Sequence, residues 1–384
     1  MNKILILGPI GDFGGREIEV NQIVDALKEK HDISIFSISH ITKKSFALKL
    51  IAPNKWSSLE RELYKNNWGI KLLSFFSYLF NHKSKVIYGY VNNQLSKKIF
   101  NLDYHFKIIL KKEINKYDLI FLCVQPSSAF LEYIITYAKS LETPIFIRTV
   151  GHINMLNEQQ IIGLKKIDLF IHHSKQNSFN LSKQFKHDYK LIDQYANCEE
   201  KLLKLPIKNK KPMIYGYLGR FSEEKGIVNL LECFSNKSEI IYVMGAGPQE
   251  NEVKKIVSRT NNCHFLGSIT VDDLDVFFSK IDVLIIPSLE EAGPLVGLEA
   301  MAAGKIIIST KVGAMMERID DENYPFWFNI EKPITLDVCI NKLNNMDLGI
   351  IKVMMEEMRS KYKEQYKKEY IHSKYLNSID NYLN

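Results

Sequence analysis

The chain lacks the marks of several protein classes. Its five cysteines (Cys123, Cys198, Cys233, Cys263, Cys339) are odd in number, widely scattered and form no CxxC pair. That argues against a disulfide framework or a thiolate zinc site, and for small core thiols in a reducing compartment. No run approaches the ~18 apolar residues that a membrane span needs. The opening Met1-Asn-Lys-Ile-Leu-Ile-Leu-Gly8 breaks at Gly8-Pro9, so it is read as a buried first strand rather than a signal peptide. His172 and His173 have no Cys or acid at metal-ligand spacing, and no metal is expected there. The positive charge comes without any recognised reader motif, so nucleic-acid binding is not expected.

What is present is an ordinary globular composition, 46% hydrophobic and 25% charged over 384 residues. At roughly 100–200 residues per domain, that length implies two domains. The formal charge of +7 is unevenly placed: Thr42 to Lys116 holds fifteen Lys and Arg against Glu60, Glu62, Asp103 and Glu113. The same stretch contains Ile70-Lys-Leu-Leu-Ser-Phe-Phe-Ser-Tyr-Leu-Phe80. Basic charge beside an aromatic, apolar run fits contact with an anionic membrane surface. It equally fits a buried helix with a solvated basic face, and both readings stay open.

Apolar runs alternate with helical patterns in both halves. The first half reads as strands Lys3–Gly8, Asp32–Ser39, Asp118–Val124, Pro144–Val150, Asp168–His173 and Tyr189–Gln194, joined by helices such as Gly14–Lys28, Ser128–Leu141, Asn154–Lys165 and Ser174–Phe185. Residues 41–116 interrupt this rhythm and read as an irregular basic and aromatic insertion of helices. The charged stretch Glu199–Pro212, with two prolines, reads as the interdomain segment. A second series follows: strands Met213–Leu218, Glu239–Met244, His264–Leu266, Asp282–Pro287 and Lys305–Thr310, with helices Lys225–Phe234, Gln249–Arg259, Val271–Lys280 and Leu295–Ala303 between them. The expected fold class is therefore α/β: two doubly wound, parallel-sheet, Rossmann-like domains facing an interdomain cleft. The expected boundaries are 1–196 for the first domain, 197–365 for the second, and 366–384 for a C-terminal helix packing back on the first.

Such sheets bind ligands beyond the carboxyl ends of their strands. Four loops lie there. Glu291-Ala-Gly-Pro-Leu-Val-Gly-Leu-Glu299 places one acid in a loop after a strand and a second in the next helix. Carboxylates accept charge-assisted bonds from paired sugar hydroxyls, and a helix N-terminus favours an anion beside the sugar. Gly219-Arg-Phe-Ser-Glu-Glu-Lys-Gly226 offers Arg220 and Lys225 at the opening of a helix, a planar fork and a point charge suited to a diphosphate. The alternative is a surface loop with ordinary charges. Gly8-Pro-Ile-Gly-Asp-Phe-Gly-Gly15 lets backbone N–H groups approach a phosphate, but it lacks the dinucleotide spacing. Gly245-Ala-Gly-Pro248 is explained equally well as a tight turn with Pro at the helix start. His152 also follows a strand and is a candidate donor to a ligand oxygen, although a lone His is more often structural. Asp273-Leu-Asp275 reads as dipole-complementing acids at a helix start, not as a metal site.

Taken in order, Arg220 with Lys225, Gly245-Ala-Gly-Pro248, His264-Phe-Leu-Gly267, Glu291-x7-Glu299, Ala300-Met-Ala-Ala-Gly304 and Val312-Gly-Ala-Met-Met-Glu317 resemble the retaining family 4 glycosyltransferases of the GT-B fold. The resemblance is dense from Tyr217 to Glu317 and thin in the first half. It implies that Glu291 binds hydroxyls of the donor hexose, that Glu299 binds the nucleotide ribose, and that Arg220 and Lys225 hold the diphosphate. It places Gly14 and Gly15 over the sugar phosphate and Phe265 to Gly267 against the base, with His152 as a further catalytic residue. Gly245, Gly293, Pro294 and Leu295 complete the expected donor contacts. One departure is Gly293, where an aromatic residue is common.

The implied activity is metal-independent, retaining transfer of a hexosyl or N-acetylhexosaminyl unit from a nucleotide diphosphate sugar to a glycan acceptor, in bacterial-type surface polysaccharide synthesis. No cofactor is expected beyond the donor, a UDP-sugar in preference to a GDP-sugar. The expected partners are that donor, a glycan acceptor that is lipid-linked in one form of the reading, and an anionic membrane. The expected location is the cytoplasm, with peripheral contact at the inner face of the cell membrane. The alternatives are a nucleotide-sugar epimerase of the same fold and a non-catalytic transferase-like subunit.

Overall fold

Strands buried on both faces must be largely apolar, as the wholly buried runs Leu119–Val124 and Val283–Ile286 are. A computed structural model describes residues 1–383 except 82–84, 152, 269, 321 and 322. Its strands are β1 (Lys3–Gly8), β2 (Asp32–Ser37), β3 (Trp56–Ser58), β4 (Leu119–Val124), β5 (Ile145–Thr149), β6 (Leu169–His172), β7 (Tyr189–Leu191), β8 (Ile214–Leu218), β9 (Ile240–Met244), β10 (Cys263–Phe265), β11 (Val283–Ile286) and β12 (Ile306–Ser309). They form two parallel sheets, in the orders β3-β2-β1-β4-β5-β6-β7 and β10-β9-β8-β11-β12. The expected α/β class with two doubly wound sheets is the fold the chain adopts.

The chain divides into two units: Met1–His172 with Ser178–Ile192 and residues from His372 on, and His173–Asn177 with Asp193–Ile371. In the first unit, β1 pairs with β2 on one side and β4 on the other, in register from Ile4 opposite both Ile33 and Leu119. Leu5, Leu7, Ile120 and Leu122 are wholly buried. The helix Gly15–Leu27 carries two buried acids, Glu17 and Glu19. Glu19 meets buried Arg148 of β5 at 2.8 Å and accepts from the Tyr375 hydroxyl at 3.3 Å. A buried charge needs such a partner. Tyr375 lies on the helix Lys368–Leu383, which also sets Tyr382 edge-on to Phe146, centroids 4.9 Å apart.

Local structure departs from the expected pattern in three places. The insertion at 41–116 contains a strand, β3, at the edge of the first sheet, besides its helices. Three residues give too little alternation to be read as a strand in a sequence. The segment after Cys198 is not continuous linker, since Glu199–Leu203 is helical. Lys225 does not open a helix: Glu223–Lys225 is a 3-10 turn, Gly226 has φ +65°, and the helix runs Ile227–Phe234.

Candidate active site

In the second sheet the chain runs outward from β8 to β9 and β10, then crosses back to β11 and β12. The crevice beyond the carboxyl ends of β8 and β11 is therefore a topological switch point, where open α/β sheets bind ligands. The loops that leave these two strands are tied together. The Glu224 carbonyl accepts the Leu289 N–H at 2.9 Å. A Cβ on Gly226 would sit 2.4 Å from the Pro287 carbonyl oxygen, so only glycine allows this approach. These contacts bring the Lys225 ammonium onto the Glu291 carboxylate. Both side chains keep some exposure, 25% and 16%, so the pair faces solvent rather than the core. Ser288 Oγ lies 3.5 Å from the same carboxylate oxygen.

Arg220 follows β8 and is exposed. Its carbonyl accepts the Tyr217 hydroxyl at 2.8 Å. Burial, with Glu291 and Glu224 nearby, pushes the Tyr217 phenol well above its ordinary range, so it stays a neutral donor. Phe221 donates its N–H to the Ala246 carbonyl, Gly219 to that of Met244, and Gly245 to that of Gly267. The loops after β8, β9 and β10 are thus stitched by backbone bonds. A Cβ on Gly245 would fall 1.9 Å from the Gly219 carbonyl oxygen, which explains the glycine there. Phe265 packs its ring 5.6 Å from Phe221.

Glu299 sits in the helix Leu295–Ala302 and is 4% exposed. Asn197 Nδ2 donates to its Oε1 at 2.9 Å. Burial raises its pKa to about 7, opposed by the Asn197 bonds and the Arg318 charge. Near neutrality it therefore switches between an acceptor and a donor-acceptor.

The loop between the two glutamates is held from below by Arg318. This buried guanidinium donates Nη1 to the Pro294 carbonyl. It also meets Asp193 twice, Nε at 2.8 Å and Nη2 at 2.7 Å. Burial alone would raise Asp193, but the Arg318 charge and its two bonds hold the carboxyl well below its usual range. His173 Nδ1 lies 3.8 Å from the same carboxylate. A Cβ on Gly293 would meet Arg318 Nη2 at 3.0 Å and His173 Cβ at 3.4 Å. Glu317, next in sequence, accepts the N–H groups of Lys175 at 2.8 Å and Gln176 at 3.2 Å.

Ten of the expected site residues therefore share the carboxyl edge of one sheet: Arg220, Lys225, Gly245, Phe265, Gly267, Glu291, Gly293, Pro294, Leu295 and Glu299. Gly14 and Gly15 lie in the first unit, exposed after β1, where the helix Gly15–Leu27 starts. There Glu17 Oε1 accepts the Gly11 N–H at 2.6 Å. His152 lies outside the described residues. Asp273 accepts the Thr270 hydroxyl at 2.6 Å, and Asp275 lies 3.7 Å from Lys201. Asn197, Asp193 and Arg318 went unread in the sequence. The only local signal was Arg318, a charge following Glu317 at the end of a small-residue turn.

The family model for glycosyl transferases group 1 matches residues 199–368. The matched segment contains the whole second sheet, β8 to β12, and the loops at its carboxyl edge. It holds every site residue just described except His173, Lys175, Gln176, Asp193, Asn197 and the residues of the first unit. The chain is similar to a lipopolysaccharide 1,2-N-acetylglucosaminetransferase of Salmonella typhimurium, 31% identical over 144 residues, which cover 33% of this chain and 37% of that enzyme. It is also similar to an uncharacterized glycosyltransferase of Methanocaldococcus jannaschii, 26% identical over 157 residues, covering 39% of this chain and 40% of that protein. The chain thus spans about two-fifths of the length of the curated relatives it matches. Among solved structures, Anabaena HepE in complex with UDP superimposes with a TM-score of 0.70, covering 99% of this chain and 100% of that one at 14% identity. At that identity the likeness concerns the fold, the two-sheet GT-B architecture.

Proposed function

We propose that the chain is a retaining glycosyltransferase that needs no metal and moves a hexosyl or N-acetylhexosaminyl unit from a nucleotide diphosphate sugar to a glycan acceptor. The observation that carries this reading is the meeting of Lys225 and Glu291 at the switch point, with Glu299 in the helix that follows. A cation and an acceptor side by side match a ligand whose phosphate adjoins a sugar.

In this reading Lys225 and Arg220 bind the diphosphate. The diphosphate competes for the Lys225 ammonium and frees Glu291 to accept sugar hydroxyls. Glu299 accepts from the ribose. As the anomeric bond breaks, negative charge grows on the departing diphosphate and positive charge on the sugar. Lys225 and Arg220, already held by their loops, stabilise the leaving group without reorganising. The transition state resembles the oxocarbenium ion of glycoside hydrolysis. In this reading the acceptor attacks from the face the nucleotide leaves, with retention. The first unit takes the acceptor, a glycan on a lipid carrier in surface polysaccharide synthesis. The similarity of the Salmonella relative supports that acceptor class.

The test is a donor screen by thermal shift with UDP, GDP and their sugars, since a ligand of the native state raises its stability. A UDP-sugar is expected to give the larger shift. Transfer is then followed by NMR in chelator, and an α-linked product from an α-linked donor is the expected outcome. Absence of nucleotide binding, or an inverted product, overturns the reading. An epimer formed from donor alone does the same.

A further inference from the structure

We propose that the helix Trp68–Phe80 of the first unit docks its outer face on an anionic membrane surface, a property independent of the transferase reading. Thirteen residues form this helix, started by Asn67, whose side chain accepts the Ile70 N–H at 3.0 Å. Its inner side is short: Ile70 and Ser74 are buried, and Tyr78 meets Tyr90 edge-on with centroids 6.0 Å apart. Its outer side carries Trp68, Leu72, Phe75, Phe76, Leu79 and Phe80, all exposed, with Trp68 at 79% and Phe80 at 80%. The spacing i, i+4, i+7, i+8, i+11, i+12 places them on one stripe. A soluble chain normally turns such a stripe inward, so six large apolar groups turned outward need a partner.

The surface continues beyond the helix. A Cβ on Gly69 would meet the Phe100 ring at 2.6 Å, and Phe100 lies 6.4 Å from the His105 ring, which lies 5.8 Å from that of Tyr104. Leu95, Ile99 and Tyr104 are exposed along this path.

Charge identifies the partner. Between Glu62 and Asp103 the chain has no acid at all and six lysines: Lys65, Lys71, Lys83, Lys85, Lys97 and Lys98. Lys71, Lys85, Lys97 and Lys98 are exposed. An apolar stripe rich in Trp and Phe, flanked by lysines of which only Lys65 is paired with a neighbouring acid, Glu62, among the described residues, matches a headgroup layer over acyl chains. Thirteen residues span about 20 Å, less than a bilayer core, so the helix lies in the interface and does not cross. Among the described residues no helix is long and apolar enough to cross a membrane.

The experiment uses the full chain with phosphatidylcholine vesicles, with and without phosphatidylglycerol. Co-sedimentation is expected with the anionic vesicles and about tenfold weaker, or less, with the neutral ones, given the contribution of each lysine near the surface. Trp68 is by far the most exposed tryptophan, as Trp56 is buried and Trp327 half-buried. Brominated acyl chains are therefore expected to quench emission in the wild type and to lose this effect in Trp68→Phe. The double variant Phe76→Ser, Phe80→Ser, with its fold checked by circular dichroism, is expected to lose vesicle binding. Vesicle binding unchanged in that variant, or no binding to either vesicle, overturns the proposal. So does a wild-type dimer in ultracentrifugation that the double variant dissolves, since a second copy would then cover the stripe.

Discussion

Lys225 and Glu291 touch although 66 positions separate them. They meet because β8 and β11 are neighbours in the second sheet and their loops leave the same edge. The backbone clip from Leu289 to Glu224 holds the two loops at contact distance. The pair sits at the surface of the sheet edge and not in the core, so it is available to a ligand.

Replacing Glu291 with Gln keeps the shape and removes the charge. Hydrogen bonds to charged groups contribute about 1.5–3 kcal/mol, so kcat/KM for transfer is expected to fall about 10- to 100-fold. Steady-state rates with a UDP-sugar measure it. Turnover equal to wild type would show that Glu291 does not contact the transferred sugar.

Lys225→Ala removes the cation and leaves Glu291 without its partner. Free UDP is expected to bind about tenfold or more weakly, and turnover to drop further than binding, because the charge on the leaving group peaks in the transition state. Calorimetry for UDP beside kcat separates the two effects. An unchanged Kd and kcat together remove Lys225 from the diphosphate site.

Glu299 makes a prediction about pH. Its folded pKa, near 7, stands above the ordinary 4.5 because of burial. Between those values the folded state holds more protons than the unfolded one, so stability from this group falls as pH rises through the window. Glu299→Gln is therefore expected to raise the thermal midpoint relative to wild type at about pH 8 and to change it little at about pH 4. UDP affinity of the wild type is expected to tighten from about pH 6 to about pH 8 as the carboxylate forms, and to stay flat in the variant. A wild-type affinity without pH dependence contradicts a ribose-binding carboxylate.

Arg318→Met strands Asp193 as a buried charge. Breaking such a pair costs about 3–5 kcal/mol, readable by urea unfolding. Asp193→Asn combined with Arg318→Met is expected to recover much of that loss. The Asp193 pKa is held below its ordinary 3.8, so the pair's stabilisation is complete above that value and is lost as pH falls through the folded pKa. The acid side of the wild-type stability profile should therefore be steeper than that of the double variant. Single and double variants of equal stability exclude a supporting role for this pair under the Gly293–Pro294 loop.

Much of the second half was legible. Val283 to Ile286 and Ile306 to Ile308 are apolar throughout because parallel strands are covered on both faces, and they form the buried β11 and most of β12. Glu291 and Glu299 were readable because a strand, an acidic loop and a small-residue helix follow in one short stretch. The insertion at 41–116 was less legible. Its helix Trp68–Phe80 turns its apolar stripe outward, and a hydrophobic pattern states that a face is apolar, not which way it points. The edge strand β3, three residues long, is defined by its pairing with β2 rather than by its own pattern.

The order of elements, the parallel class of both sheets and the acids and cations at strand ends follow from the amino-acid sequence by itself. Those features rest on local periodicity and on the burial that parallel sheets impose. Only the tertiary structure decided which charges pair. Lys225 met Glu291 through strand adjacency, Asn197 reached Glu299 across 102 positions, and Arg318 reached Asp193 across 125. Coulomb attraction and desolvation act through space, and only the fold converts that sequence separation into the few ångströms over which they act.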